Sequence, residues 1–187
     1  EEDVRKYLER FFVYALEKIL EKNKEELKIL NVNLEIPTLP FPRVKYEDFV
    51  SEIGIEFGED IKREHEKIFS KKYGDAAFLI DFAANLRPFY TYLKNEKIST
   101  GFDFIYKGLE IASGSRRIND ANQLIKRIRE FNLNEKDFEY YINVFKYGAP
   151  KHAGWAIGLE RATMKICNLE NIREATMWPR DRYILEP

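Results

Sequence analysis

The clearest pattern lies at the start of the chain. Val4, Leu8, Phe11, Phe12, Ala15, Leu16, Ile19 and Leu20 recur at three- and four-residue steps, with Lys and Glu on the other face. That spacing predicts an amphipathic helix over 2–23. Leu30 to Ile36 then alternates, and Pro37, Pro40 and Pro42 stop regular structure and force an extended connector. Short helices are predicted over 46–53 and 59–72, the second after a turn at Gly58. The stretch 76–82 reads as a buried strand and 88–93 as a second, Phe/Tyr-rich strand. Strands over 102–106 and 109–113 flank Lys107-Gly108. Helical spacing returns over 119–131 and 135–145, with Asn134 placed as an N-cap. Residues 154–158 read as a strand that passes directly into a helix from about Leu159 to Cys167. Helices with mostly hairpin-linked strands, and no internal repeat, predict a single α+β domain over 1–187.

Composition adds bounds. Hydrophobic residues make up 44% and charged residues 34% of 187 residues, enough for an ordered chain with a sizeable core. There are 31 basic and 32 acidic residues, so any nucleic-acid surface must be a local patch. A lone Cys167 excludes an intrachain disulfide and fits a reducing, cytoplasmic location. No apolar run approaches the roughly 20 residues that span a bilayer, so no membrane partner is expected. The chain opens Glu1-Glu2-Asp3 without Met, which raises the expectation of a piece of something larger.

Three segments carry candidate chemistry. In Gly101 to Arg117, Asp103 and Glu110 fall on neighbouring strands, where two carboxylates can share a hard cation such as Mg²⁺. Ser113 can add a hydroxyl ligand, Gly114 lets backbone approach a ligand closely, and Arg116 and Arg117 suit a carboxylate or phosphate. The same residues also fit a polar hairpin with surface charges and a Gly turn, and the segment alone favours that reading, because isolated acidic pairs on hairpins are common. In Gly154 to Arg161, a strand entering a helix through Gly158 offers backbone N–H groups to an anion, with Arg161 adding a fixed charge. An ordinary strand–helix turn would look the same. Asn171 to Asp181 is dense in charge around Trp178. His65 reads as a solvated residue, and His152 adjoins the second segment.

Read together, these segments resemble a family. Tyr147 to Arg161, then Asn171-Ile-Arg-Glu-Ala175, then Pro179-Arg-Asp181, resemble motif 3 and the C-terminus of archaeal-type aspartyl-tRNA synthetases in order and spacing. Phe102 to Arg117 resembles that family's metal- and aspartate-binding segment. Leu39 to Tyr46, Gly58 to Ile61 and Arg87 to Tyr90 are similar to family sequence as well, so the likeness covers essentially the whole chain.

The resemblance implies a class II synthetase catalytic domain, an antiparallel sheet flanked by helices. Motif 1, motif 2 and the anticodon-binding domain fall outside this chain. It implies ATP-dependent activation of aspartate and its ligation to tRNA, with ATP and Mg²⁺ as cofactors and a homodimer as the complete form. Glu110 is then the residue that binds ATP-bound Mg²⁺, Asp103 its acidic partner, and Ser113 a metal and substrate contact. Arg117 is the arginine for the aspartate side chain. Gly158, Leu159, Glu160 and Arg161 form the ATP-binding turn, with Arg161 catalytic. Pro179-Arg180-Asp181 favours aspartate, since the related asparagine enzymes end that stretch in Thr. Arg116 stands where the family usually has Gln, which adds a charge near the amino-acid site. A regulatory paralogue and an amide-forming, asparagine-synthetase-like paralogue are the alternatives.

Overall fold

The computed structural model describes residues 1–183. Its elements are α1 (Glu2–Lys22), α2 (Lys24–Ile29), β1 (Arg43–Lys45), α3 (Tyr46–Ile53), α4 (Arg63–Tyr73), β2 (Ala76–Ile80), β3 (Phe102–Tyr106), β4 (Leu109–Arg116), α5 (Ala121–Glu130), α6 (Glu139–Lys146), β5 (Ala153–Ile157) and α7 (Leu159–Ile166). The strands form one sheet in the order β1-β2-β3-β4-β5. The α+β class is therefore borne out. The expectation of an antiparallel sheet needs one correction, because β1 runs parallel to β2. A parallel neighbour requires a crossover, and α3 and α4 supply it.

Three expectations at the level of elements change. Residues 88–93 do not form a continuous strand; they make single bridges, Thr91 to Arg117 and Leu93 to Ser99. Pro88 brings no N–H, and the backbone groups that follow bond to scattered partners instead of to one ladder: the Tyr92 N–H donates to the Arg116 carbonyl, while the Tyr90 and Tyr92 carbonyls accept from Ile118 and Thr100. The helix expected from Glu59 starts at Arg63, where Lys62 is the N-cap and the His65 ring accepts its N–H. His65 is thus a capping residue and only partly exposed. The 135–145 helix is split: Asn134 caps a 3₁₀ turn over Glu135–Phe138, and α6 follows.

The two faces of the sheet are covered differently. On one, Phe78, Phe102, Phe104 and Tyr106 pack against Leu8, Phe12 and Leu16, the apolar stripe of α1. On the other, Ala77, Leu79 and Ile105 pack against Phe49 of α3 and Phe69 of α4. Those two helices cover strands β1 to β3 on that face. A third cluster, around Ile118, Leu124, Ile128 and Ile142, gathers α5 and α6 beyond the end of β4. The second face is therefore left accessible over β4 and β5.

Gly114 fixes how closely β4 and β5 approach on the α1 side. A Cβ there would lie 2.4 Å from the Phe102 ring, 2.7 Å from the Gly154 carbonyl oxygen and 2.8 Å from Trp155 Cβ. The ring can shift, but the neighbouring strand's carbonyl cannot without breaking the ladder. Gly114→Ala is expected to cost about 1–3 kcal/mol. A chemical denaturation midpoint matching the wild type would contradict this packing.

Candidate active site

Strand alternation builds the site. Phe102 and Phe104 face α1, so Asp103 faces the other way. The register pairs Asp103 with Ser113, Ser113 with Ala156, and Ser115 with Gly154. Between Phe104 and Ile105 the register slips: Phe104 pairs with Ala112 but Ile105 pairs with Glu110. Glu110 pairs with Ile105 across the two-residue turn and so shares the Asp103 face, while Ile111 is the extra residue of the bulge and brings Ser113, in place of Ala112, opposite Asp103. The bulge is why Glu110 and Ser113, three residues apart on one strand, share a face. Asp103, Glu110, Ser113 and Ser115 thus lie on the accessible face of the sheet.

Around Ser113 the side chains enclose a pocket of about 150 Å³, lined by Arg87, Tyr90, Ser113, Ser115, Arg117 and Ala156. Arg117 Nη1 donates to Ser115 Oγ at 2.9 Å, and its guanidinium lies 4.7 Å from the centre of the Tyr90 ring. Two arginines therefore line one small cavity, whose charge and size suit an anion of carboxylate size. Arg116 points elsewhere. Its guanidinium sits 3.6 Å from the centre of the Tyr92 ring and does not line the pocket. The extra charge noted from the sequence is removed from the cavity by strand alternation.

Arg87 was not singled out by spacing, yet it links the pocket to Asp103. Its Nη2 donates to Asp103 Oδ2 at 2.6 Å, and its guanidinium lies 3.6 Å from the centre of the Phe82 ring. Gly101 makes room for it, since a Cβ there would fall 2.8 Å from Arg87 Cγ. Asp103 Oδ1 is buried and has no hydrogen-bond partner. Burial pushes the Asp103 carboxyl up to about 6; the Arg87 guanidinium opposes the rise, and the Glu110 and Glu66 carboxylates add to it. The folded chain therefore holds this proton more tightly than the unfolded chain, whose value is near 3.8. The stability contribution is complete below that value and is lost as pH rises through about 6. We predict that the wild type loses stability relative to Asp103→Asn as pH goes from 4 to 7. A wild-type-minus-variant stability that stays flat or rises over that range would refute the shift.

The second constellation sits farther along the same face. About 3.3 Å per residue puts Glu110 roughly 10 Å from Ser113 along β4. Arg161 Nη1 donates to both the carbonyl oxygen (3.0 Å) and Oε2 (3.2 Å) of Glu110. Gly158 N–H donates to the Ile111 carbonyl at 2.8 Å, which ties the start of α7 to the bulge. Gly158 is the N-cap of α7 and offers no side-chain cap. The first-turn N–H groups at Leu159, Glu160 and Arg161 are therefore open to an anion. A Cβ at Gly158 would meet only the flexible Arg161 chain at 3.5 Å, so the turn does not itself demand glycine. Among the described residues no three His, Cys, Asp or Glu side chains come close enough to hold a metal by themselves. Glu66 of α4, absent from the sequence reading, completes this group: its Oε2 accepts the Glu110 N–H at 3.2 Å. Burial pushes Glu66 up, while that N–H and the Arg161 charge pull it back.

Toward the C-terminus, Asn171 caps a 3₁₀ turn over Ile172–Ala175, and Arg173 pairs with Asp181. The last four residues of the domain expected over 1–187 lie outside the described residues.

With this geometry in view, comparison with known proteins is direct. The family model for tRNA synthetases class II (D, K and N) matches residues 1–182. The chain belongs to the class II tRNA synthetases. A curated aspartate–tRNA(Asp/Asn) ligase from Methanopyrus kandleri is 41% identical over 192 residues, which cover 100% of this chain and 44% of the relative. An aspartate–tRNA(Asp) ligase from Pyrococcus furiosus is 41% identical, covering 100% of this chain and 45% of that protein. The chain thus spans less than half the length of these synthetases. Among solved structures, the aspartyl-tRNA synthetase of Entamoeba histolytica superposes with a TM-score of 0.91 at 31% identity, covering 100% of this chain and 41% of that one. The asparaginyl-tRNA synthetase of Pyrococcus horikoshii superposes with a TM-score of 0.92 at 26% identity, covering 99% of this chain and 47% of that one. The synthetase fold is thus common to the aspartyl and asparaginyl structures, while sequence identity is higher to the aspartate ligases.

No helix among the described residues is long and apolar enough to cross a membrane.

Proposed function

We propose that this chain forms part of the active site of an aspartate–tRNA ligase, which activates aspartate with ATP and transfers it to tRNA. One observation carries the reading. A small pocket lined by two arginines, and a Glu110–Arg161 pair beside an open helix start, lie on one accessible sheet face. An amino acid with a second carboxylate and a nucleotide could lie on that face side by side.

In this reading Arg117 receives the aspartate side-chain carboxylate. Ser115 and Tyr90 hold it in place beforehand, so less rotamer freedom is lost on binding. Ser113 adds a hydroxyl from the pocket wall. The Arg161 side chain and the first-turn N–H groups of Leu159 to Arg161 face the triphosphate. The aspartate α-carboxylate oxygen attacks the α-phosphorus, the bond to the β-phosphate breaks, and pyrophosphate leaves. Nothing in that step requires a protein nucleophile, so the chain contributes positioning and positive charge.

Mg²⁺ fits the donors present. Mg²⁺ is usually held by one or two carboxylates together with substrate phosphates. Asp103 has a buried oxygen without a partner, and Glu110 has an oxygen not engaged by Arg161. When bound, the ion supplies charge neutralisation for the phosphates. Asp103, Glu110 and Ser113 are the residues that would hold it.

The class II assembly completes the site with the remaining length of the whole protein, as a homodimer in the cytoplasm. Aspartate-dependent exchange of pyrophosphate into ATP, followed by charging of tRNA, tests the proposal. Failure of both in the whole protein would overturn it. Formation of asparagine from aspartate and ammonia without tRNA charging would replace it with the amide-forming alternative.

A further inference from the structure

Helix α4 does more than cover the sheet. Glu66 and Ser70 lie one turn apart on its buried face, both nearly inaccessible to solvent. Glu66 Oε2 accepts the backbone N–H of Glu110 at 3.2 Å. Ser70 Oγ accepts the backbone N–H of Gly108 at 2.8 Å. The two acceptors on the helix thus meet two donors on the β3–β4 hairpin. The hairpin turns through Lys107 and Gly108, both at positive φ (47° and 72°), and its bulge begins directly after Glu110. Glu110 sits at the irregular place in the ladder, where strand pairing alone determines its position least.

The partners of Glu110 divide the task. Arg161 engages its carbonyl oxygen and Oε2 from the α7 side, and Glu66 engages its N–H from the α4 side. A buried carboxylate spent on a backbone N–H is costly unless it serves order, because burying an anion carries a desolvation penalty. A neutral acceptor would satisfy the same N–H.

We propose that Glu66, assisted by Ser70, is a positioning residue that clamps the β3–β4 hairpin to α4 and sets where the Glu110 carboxylate stands for a divalent cation. The inference rests on the proposed nucleotide site. Glu66 acts through Glu110 and touches neither aspartate nor the reacting atoms. Its loss therefore weakens the cation–nucleotide complex and spares the pocket of Arg117 and Ser113, which hangs on β4 beyond the bulge.

The test uses the whole protein with Glu66→Ala, Glu66→Gln and Ser70→Ala. Four quantities are measured: affinity for Mg²⁺–ATP by calorimetry, the Mg²⁺ dependence and the KM for aspartate in pyrophosphate exchange, and amide hydrogen exchange at Glu110 and Gly108. Glu66→Ala is expected to weaken Mg²⁺–ATP binding about 10–100-fold, the usual loss when a residue behind a metal ligand is removed. KM for aspartate should stay put, and the Glu110 amide should exchange faster. Glu66→Gln keeps a carbonyl acceptor for the N–H and should recover most of the affinity. Ser70→Ala, a small change that folds readily, should speed exchange at Gly108 and weaken Mg²⁺–ATP binding to a lesser degree. Wild-type Mg²⁺–ATP affinity in Glu66→Ala would overturn the proposal, as would a Gln variant no better than Ala. If the wild type binds Mg²⁺–ATP but shows no aspartate-dependent exchange, the synthetase reading fails while calorimetry and amide exchange still decide the clamp.

Discussion

Arg161→Ala is expected to lower aspartate-dependent pyrophosphate exchange by about 10²–10³-fold, the loss typical of removing one preorganised donor from a developing charge. The structure explains why this arginine is preorganised. Its Nη1 is anchored twice on Glu110, and its backbone lies in the first turn of α7, whose start is tied by Gly158 to the bulge. Nη2 is left for a phosphate. The effect on stability should be small. The Arg161 side chain is 43% exposed, and ion pairs of such exposure contribute little, about 0–1 kcal/mol. The expected result is thus a large loss of rate with a nearly unchanged melting temperature. Arg161→Lys should restore only part of the rate, because an ammonium cannot hold Glu110 and a phosphate with a planar fork. Exchange near the wild-type rate in the alanine variant would remove Arg161 from the nucleotide site.

Arg117→Ala is expected to act on the amino acid instead. A charge-assisted hydrogen bond to a carboxylate contributes about 1.5–3 kcal/mol, so kcat/KM for aspartate should fall roughly 10–150-fold, mostly through KM. KM for ATP should change little, since Arg117 lies in the pocket with Ser113 and not beside Arg161. Arg87 remains in that cavity, held by Asp103 and Phe82, and should keep some attraction for the anion. Selectivity against asparagine should weaken along with affinity for aspartate, because the planar guanidinium is the part that distinguishes a carboxylate from an amide. An unchanged aspartate KM would place the substrate carboxylate elsewhere.

The two variants separate the halves of the site, and Glu110 and Asp103 join them. Both carboxylates point to one face, each already has a cationic partner, Arg161 for one and Arg87 for the other. That pairing keeps two anions on a half-covered sheet face without mutual repulsion dominating. It also means that a bound cation would compete with an arginine for each carboxylate, which makes the placement of those arginines part of the site's chemistry.

Much of this was legible in the chain. The helical stripe of α1, the β3–β4 hairpin at Lys107-Gly108 and the passage of β5 into α7 are local patterns, and each appears where periodicity put it. Asp103, Glu110, Ser113 and Arg117 were visible as one segment, and Ser113 and Arg117 do line one pocket. What spacing could not supply was the partner of each. Arg87 reaches Asp103 across 16 residues, Glu66 reaches the Glu110 N–H across 44, and Arg161 reaches Glu110 across 51. The segment 88–93 misled for a related reason: its aromatic residues suit a strand, but their role is to pack against α5 and α6 and to wall the pocket.

The sequence by itself determined most of the helices and strands, which faces are apolar, and which family's motifs the chain carries, because those depend on spacing along a few neighbouring turns. Only the tertiary structure decided that β1 joins the sheet in parallel, that the bulge at Ile111 turns Ser113 and Ser115 to the same side as Glu110, that Arg116 leaves the pocket while Arg87 enters it, and that α4 holds the hairpin. Those outcomes depend on register and on close packing between segments far apart in the chain, where many weak contacts act together and no local pattern records the sum.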